Sequence, residues 1–180
     1  MLEPRKISED VSLRILRPSD AAALAAAYVR NRDHLAPWEP VRPEEYYTED
    51  WQSADIVGRL ATHEIGTGHP FGLFAGGSLV GRFNLAGIVR GPFQNAALGY
   101  WVDGQYAGRG LASAAVRALV DMARDELGLH RIEAGTLLHN VGSQRVLLKS
   151  GFVQFGMAPQ YLQIAGSWQD HNLFQILLHG

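Results

Sequence analysis

The chain contains no cysteine. Disulfides, thiolate metal sites and a cysteine acyl-enzyme are excluded together. It also lacks a long hydrophobic run. The longest, Ala21–Val29, falls well short of the ~20 apolar residues that span a bilayer. The N-terminal Met1-Leu-Glu-Pro-Arg-Lys6 has no apolar core of the kind a secretory signal needs. Charge is sparse. Charged residues make up 19% of the sequence and the formal net charge is −2, so there is no basic field for general nucleic-acid binding. The seven histidines show no ligand spacing such as His-x-x-x-His, and no metal is expected. With 47% apolar residues in 180, the expectation is a cytoplasmic protein, not associated with membranes, forming one domain over residues 1–180 with a substantial core.

Val11–Arg17 alternates apolar and charged side chains and reads as a half-buried strand. Pro18-Ser19-Asp20 stops it and caps a helix from Ala21 to about Asn31. Three prolines make Ala36–Pro43 irregular. Thr48 caps a second helix running to about Ile65, ended by Gly66 and Gly68. Phe71–Ala75 and Leu79–Val89 form a hairpin through Gly76-Gly77, and Asn95–Val102 is the next strand. A long amphipathic helix covers Ala112–Leu127, a strand His130–Leu138, and a short helix runs from Asn140 or Val141 to Ser150-Gly151. Phe152–Phe155, Tyr161–Ile164 and His171–Leu178 are expected as the last strands, with a turn at Gly166-Ser167. This order describes an α/β chain of the α+β kind, a mixed sheet flanked by helices, without the strict alternation of a doubly wound fold.

The most informative stretch is Leu98–Ala112. An aromatic strand enters the loop Gln105-Tyr106-Ala107-Gly108-Arg109-Gly110, which opens directly into the long helix at Leu111 and Ala112. A helix N-terminus behind glycines is an anion site. Its N–H groups point outward, its dipole adds positive potential, and the missing Cβ atoms admit a phosphate. Arg109 either adds charge or faces solvent. The alternative for the whole loop is a plain tight turn. A phosphoryl-transfer site is excluded, because no Gly-Lys-Ser/Thr follows the glycines.

The loop resembles the Gln/Arg-x-x-Gly-x-Gly/Ala loop of the GNAT superfamily of N-acetyltransferases. Asn140-Val-Gly-Ser143 and Ser150-Gly151-Phe152 stand where that family has its Asn-x-x-Ser and Gly-Phe elements. Outside this core, Asn31–Pro40, Val89-Arg-Gly91 and Gly166–His171 look like the RimJ/RimL branch, which acetylates ribosomal-protein N-termini at alanine, and especially its RimJ-like side. The resemblance covers nearly the whole chain. It implies a mostly antiparallel sheet splayed after the fourth strand, acetyl-CoA as donor and a primary amine as acceptor, with a homodimer by analogy. It also places the pantetheine arm beside Trp101 and Val102. The acceptor class does not carry over with the fold, since related members acetylate peptides, small amines and antibiotics.

The reaction needs a neutral amine, a stabilised oxyanion and a proton for the leaving thiolate. Without cysteine, direct transfer in a ternary complex is favoured. Asn140 either hydrogen-bonds the pantetheine amides or caps its helix. Ser143, one turn on, is the branch's candidate proton donor or a capping hydroxyl. Tyr161 is a second candidate donor or a core aromatic. No Asp or Glu lies between Gly151 and Gln169. Candidate bases are therefore Glu39, Glu133 and Asp170, each alternatively structural or substrate-orienting, with a water relay as a further route. Trp38, Glu39, Arg82, Asn84 and Asp170 are candidate acceptor-binding residues. Trp51 and Arg90 are weighed beside them, as wall or packing and as reader or solvent-facing charge. Three functions remain open: acetylation of a peptide or protein N-terminus, acetylation of a small amine, and a non-catalytic acyl-CoA-binding module.

Overall fold

The computed structural model describes residues 2–179. Its strands are β1 (Arg5–Lys6), β2 (Val11–Ile15), β3 (His69–Ala75), β4 (Ser78–Val89), β5 (Asn95–Val102), β6 (Arg131–Leu137), β7 (Val153–Ile164) and β8 (Ser167–Leu177). Its α-helices are α1 (Ala21–Arg30), α2 (Arg32–Leu35), α3 (Glu49–Glu64), α4 (Leu111–Asp125) and α5 (Val141–Lys149). The strands form one mixed sheet in the order β1-β2-β3-β4-β5-β6-β8-β7. β5 and β6 run parallel, and the other neighbours among the described residues run antiparallel.

Local chemistry accounts for the main elements. Gly76 and Gly77 have φ of 53° and 86°, the left-handed pair that a two-residue hairpin turn requires. Thr48 is the N-cap of α3, its hydroxyl accepting from Trp51 N–H at 3.3 Å. α4 buries Ala115, Val116, Leu119, Val120, Met122 and Ala123, a helical stripe that packs against Phe83, Leu85, Ala96, Leu98 and Ile132 on one face of the sheet. A second cluster on the α1 and α3 side joins Leu24, Tyr28, Tyr46 and Ile56 to Leu16, Phe74 and Leu79.

Several boundaries differ from the sequence reading. The expected strands Phe152–Phe155 and Tyr161–Ile164 are one strand, β7, and β8 begins at Ser167, before the expected His171. β7 carries a register shift between Ala158 and Leu162. There Gln160 takes a φ of 47° and donates its N–H to the Asp170 carboxylate at 2.9 Å. A side chain replaces the lost ladder bond, so the strand continues through Pro159. The first helix ends at Arg30, and a separate turn of helix, α2, follows Asn31. The two-residue strand β1 pairs with β2 and was not expected.

The sheet parts in its middle. β5 and β6 pair only at Asn95↔Arg131, Ala96↔Ile132 and Ala97↔Glu133. Beyond that, β5 stays on β4 up to Val102, and β6 stays on β8 up to Leu137. The splay follows the fourth strand of the sequence reading, the fifth once β1 is counted. No helix among the described residues is long and apolar enough to cross a membrane.

Behind β4 lies a buried ion pair. Arg82 is 2% exposed. Its Nη2 donates to Asp55 Oδ2 at 2.5 Å, and its Nη1 to the Tyr28 hydroxyl at 3.4 Å. Burial pushes the Asp55 carboxyl up, but Arg82 and Arg59 outweigh it and hold the group below its ordinary value. A carboxylate with a depressed folded pKa contributes stability that is complete above the unfolded value, near pH 4, and fades as pH falls through the folded value. Asp55→Asn should cost about 2 kcal/mol at pH 7, reduced from the full buried-pair penalty because Asp55 is partly exposed. A Tm roughly 4–8 °C lower is expected, and urea unfolding should show the gap from wild type closing toward acid pH.

Candidate active site

The mouth of the cleft between β5 and β6 is framed by two helix N-termini. At the end of β5 the chain turns through Asp103–Gly110 into α4. Asp103 is 1% exposed. Its carboxylate accepts from Arg30 Nε at 2.7 Å and from Gln105 N–H at 2.9 Å. Burial raises this carboxyl, and hydrogen bonds from Asn31, Arg30 and Gln105 more than offset it, leaving it below the usual range. Asn31, itself buried, accepts from Gly104 N–H at 2.9 Å and donates to the Ala27 carbonyl. His34 donates from Nε2 to the Val102 carbonyl at 3.3 Å. The end of α1 and the start of α2 therefore clamp the base of the loop.

The other half of the loop is open. Tyr106 and Ala107 N–H close short turns onto Asp103 and Gly104. The N–H groups of Gly108, Arg109, Gly110, Leu111, Ala112 and Ser113 meet no acceptor among the described residues. Gly108 and Gly110 have φ of 75° and 76°, and a Cβ on either would meet only open space. Glycine is needed there for the left-handed backbone that turns these amides outward. Arg109 is exposed, with its guanidinium 4.9 Å from the Tyr106 ring centre. Gln105 is exposed as well.

Across the cleft, Asn140 is the N-cap of α5, its Oδ1 accepting from Ser143 N–H at 3.1 Å. Its Nδ2 has no acceptor among the described residues, so the cap engages Oδ1 alone. Ser143 Oγ shares a 2.8 Å hydrogen bond with the Tyr100 hydroxyl from β5. Burial pushes the Tyr100 phenol up to about 12. The indole of Trp101 leaves the cleft and donates to the Tyr28 hydroxyl at 3.2 Å. The Trp101 backbone faces β4, and on the cleft side the Val102 carbonyl accepts from His34.

The proline-rich loop bridges the mouth. The Glu39 carbonyl accepts from Ala165 N–H at 3.0 Å at the β7–β8 turn. The Trp38 ring lies 5.4 Å from that of His139, just before α5. Burial raises the Glu39 carboxyl above its ordinary value, with Arg42, 3.7 Å away, and Arg82 pulling partly the other way. Glu133 stands at the last rung of the β5–β6 pairing, beside Arg131 at 3.3 Å. Tyr161 is 48% exposed on β7. Its ring and that of His171 lie 5.6 Å apart, both beside Gly135 of β6.

Several candidate acceptor residues lie elsewhere or are already engaged. Arg82 is sealed beneath α1 and α3 by the Asp55 and Tyr28 contacts, so it supports the wall from behind. Asn84, two residues on, lines a cavity of about 20 Å³ with Arg59, Thr62 and His69, room for one water. Asp170 holds the β7 irregularity. Trp51 is 43% exposed, with its ring 6.2 Å from Tyr46. Arg90 donates to the Leu127 carbonyl, far along the chain from the loop. Sequence reasoning missed Tyr100, Arg30, Asn31 and Asp103. Only Asp103, an acid at the end of an apolar strand just before a glycine, carried a local signal.

The acetyltransferase (GNAT) domain family matches residues 10–153. The chain belongs to the GNAT acetyltransferases. Among relatives of this GNAT chain, the ribosomal protein uS5-alanine N-acetyltransferase of Escherichia coli is 35% identical over 173 residues, 94% of this chain and 88% of that one. The crystal structure of the ribosomal-protein-S5-alanine acetyltransferase from Vibrio fischeri superposes with a TM-score of 0.93 at 32% identity, covering 97% and 96% of the two chains. RimJ of Mycobacterium smegmatis, in complex with CoA-disulfide, superposes with a TM-score of 0.89 at 32% identity, covering 93% and 81%. The mixed sheet with its splayed centre is thus the GNAT fold read from the loop and the Asn140 and Gly151 elements, and the RimJ/RimL resemblance read from Asn31–Pro40, Val89–Gly91 and Gly166–His171 holds along the chain.

The clamp on this GNAT loop is open to test. Asp103→Ala takes the carboxylate from Arg30, whose Nη2 keeps the Leu79 carbonyl, and from the Gln105 N–H. It should cost about 2 kcal/mol in urea unfolding. Hydrogen exchange at Gly104 and Gln105 should quicken at least roughly tenfold, while β3 amides keep their protection.

Proposed function

We propose that this GNAT enzyme transfers the acetyl group of acetyl-CoA directly to a protein or peptide N-terminal α-amine, of the kind found on ribosomal proteins. The observation that carries the reading is the run of unpaired amides from Gly108 to Ser113 at the mouth of a cleft whose inner strand edge is free. A diphosphate accepts hydrogen bonds from those N–H groups and gains from the α4 dipole. The peptide-like pantetheine arm lies along β5 as a further half-strand, on the edge that β6 leaves beyond Ala97, running toward Trp101 and Val102. Asn140 Nδ2 reaches its amides. The names of the relatives, two of which specify ribosomal-protein alanine and one a CoA complex, support both donor and acceptor.

In the mechanism the acceptor amine arrives beneath the proline-rich loop, beside Trp38, Glu39 and Tyr161. Its nitrogen attacks the thioester carbonyl, and the carbon–sulfur bond breaks. Ser143 donates its hydroxyl proton to the departing sulfur, with Tyr161 as the second hydroxyl near the mouth. Glu39 takes up the amine's proton directly or through water, a role suited to a carboxylate that burial has made more basic. Acetyl-CoA and ribosomal proteins meet in the cytoplasm, which is where we assign the reaction. A homodimer belongs to the same proposal. It is supported by β7, an outer strand with Val153, Phe155 and Met157 exposed, and sedimentation tests it.

Purified protein should release CoA with Ala- or Ser-starting peptides at rates at least tenfold above those with a panel of small amines. The reverse order would make it a small-amine acetyltransferase. CoA binding without release by any amine would make it a binding module. Gly108→Asp puts a like charge against the diphosphate and should weaken acetyl-CoA binding by roughly 100-fold in calorimetry. Below the limb set by the acceptor α-amine, at about pH 8, the kcat/KM profile should steepen again with a midpoint above the ordinary Glu value, as the raised Glu39 carboxyl takes on a proton. Glu39→Gln should lower the plateau and remove that second limb while the amine's limb stays.

A further inference from the structure

We propose that Tyr100 is the positioning residue that turns the Ser143 hydroxyl toward the departing thiolate. The inference deepens the function proposed above and rests on Ser143 as proton donor. Tyr100 lies on β5 beyond Ala97, where the strand has left β6, and Ser143 lies in the first turn of α5. Their 2.8 Å hydrogen bond is the side-chain bond that crosses from the free part of β5 to α5 among the described residues.

Both partners are held from behind. The Tyr100 ring stacks on Phe83, with centres 5.5 Å apart and planes at 9°. The Ser143 main chain is fixed by its N–H bond to Asn140 Oδ1. A serine hydroxyl has one hydrogen and two lone pairs. When the phenol donates into one lone pair, the serine hydrogen is left for another acceptor. A serine early in a helix otherwise turns its hydrogen back onto a carbonyl of the preceding turn. Among the described residues the other acceptor of the phenol is the Ser143 carbonyl, at 3.3 Å, so the serine oxygen at 2.8 Å is the nearer place for the phenol hydrogen. A phenol whose ionisation is pushed up to about 12 by burial remains a donor across the working range of the enzyme.

The step balances without ionising the tyrosine. The amine nitrogen bonds to the acetyl carbon and the carbon–sulfur pair leaves with sulfur. The Ser143 hydrogen goes to sulfur, and Ser143 recovers through water the proton that the amine has given up to Glu39. Tyr100 keeps its own throughout and touches no reacting atom.

Tyr100→Phe, Ser143→Ala and the double variant test this, with acetyl-CoA affinity measured by calorimetry and turnover by CoA release with the best peptide. Tyr100→Phe should lower kcat roughly tenfold, part of the 10²–10⁴ that a general acid supplies, while acetyl-CoA affinity stays within about twofold. Retained affinity also reports that the variant is folded. The double variant should be no slower than Ser143→Ala, because a positioning residue has nothing to act on once the serine is gone. An unchanged kcat in Tyr100→Phe, a loss confined to KM, or a double variant slower than Ser143→Ala by the full Tyr100→Phe factor would each overturn the proposal. Wild-type protein giving no heat with acetyl-CoA would instead remove the donor reading beneath it.

Discussion

Three rungs of parallel pairing between β5 and β6 are the constraint on which the rest of this molecule depends. A sheet normally hides its backbone groups in the ladder, and an unpaired edge in the middle of one is costly unless something polar occupies it. Here each strand keeps its outer partner, β4 for β5 and β8 for β6, so the sheet survives the parting. The inner edges are left for a ligand with alternating amide donors and acceptors. The same divergence puts the N-terminus of α4 at one lip of the cleft and that of α5 at the other. The cleft thus has amides along its walls and positive helix ends at its mouth.

A cleft of this kind works only if its lips hold still. The α4 lip is held from below by a buried carboxylate, Asp103, gripped by Arg30 and by the amide of Gln105, with Asn31 on Gly104 beside it. That spends the early amides of the loop on the protein and leaves the later ones, Gly108 to Ser113, for the solvent side. The α5 lip is held by Asn140 through the cap and by Tyr100 through Ser143. The proline-rich loop closes the third side by resting on the β7–β8 turn and on His139. With so few charges in the chain, these local dipoles and single buried ions set the field at the site. The overall charge of −2 does not.

Much of this was legible because it is local. Gly76-Gly77 announces its hairpin, Thr48 its helix, and the α4 stripe its buried face, since each signal lies within a few residues of its effect. The glycine loop was legible for the same reason, because a left-handed glycine and a helix start are properties of adjacent residues. β7 was not. Pro159 and the backbone at Gln160 argue for a break, and the strand continues only because Asp170, ten residues on, supplies the missing acceptor. Arg82 alternates with its neighbours as an outward-facing side chain would, yet α3 brings Asp55 over it and makes it one of the most buried residues in the protein. Tyr100 reads as one more core aromatic, and nothing near it in sequence indicates a serine 43 residues away.

The sequence by itself determined the class of fold, the glycine turn before α4 and the family, because these rest on spacings within single elements: glycines before a helix, an asparagine three residues before a serine, apolar residues three and four apart. Only the tertiary structure decided which side chains face the cleft and which support it. That choice depends on what packs over each strand. A covering helix turns a would-be surface arginine into an internal brace, and a gap between two strands turns a would-be core tyrosine into a bridge from β5 to α5.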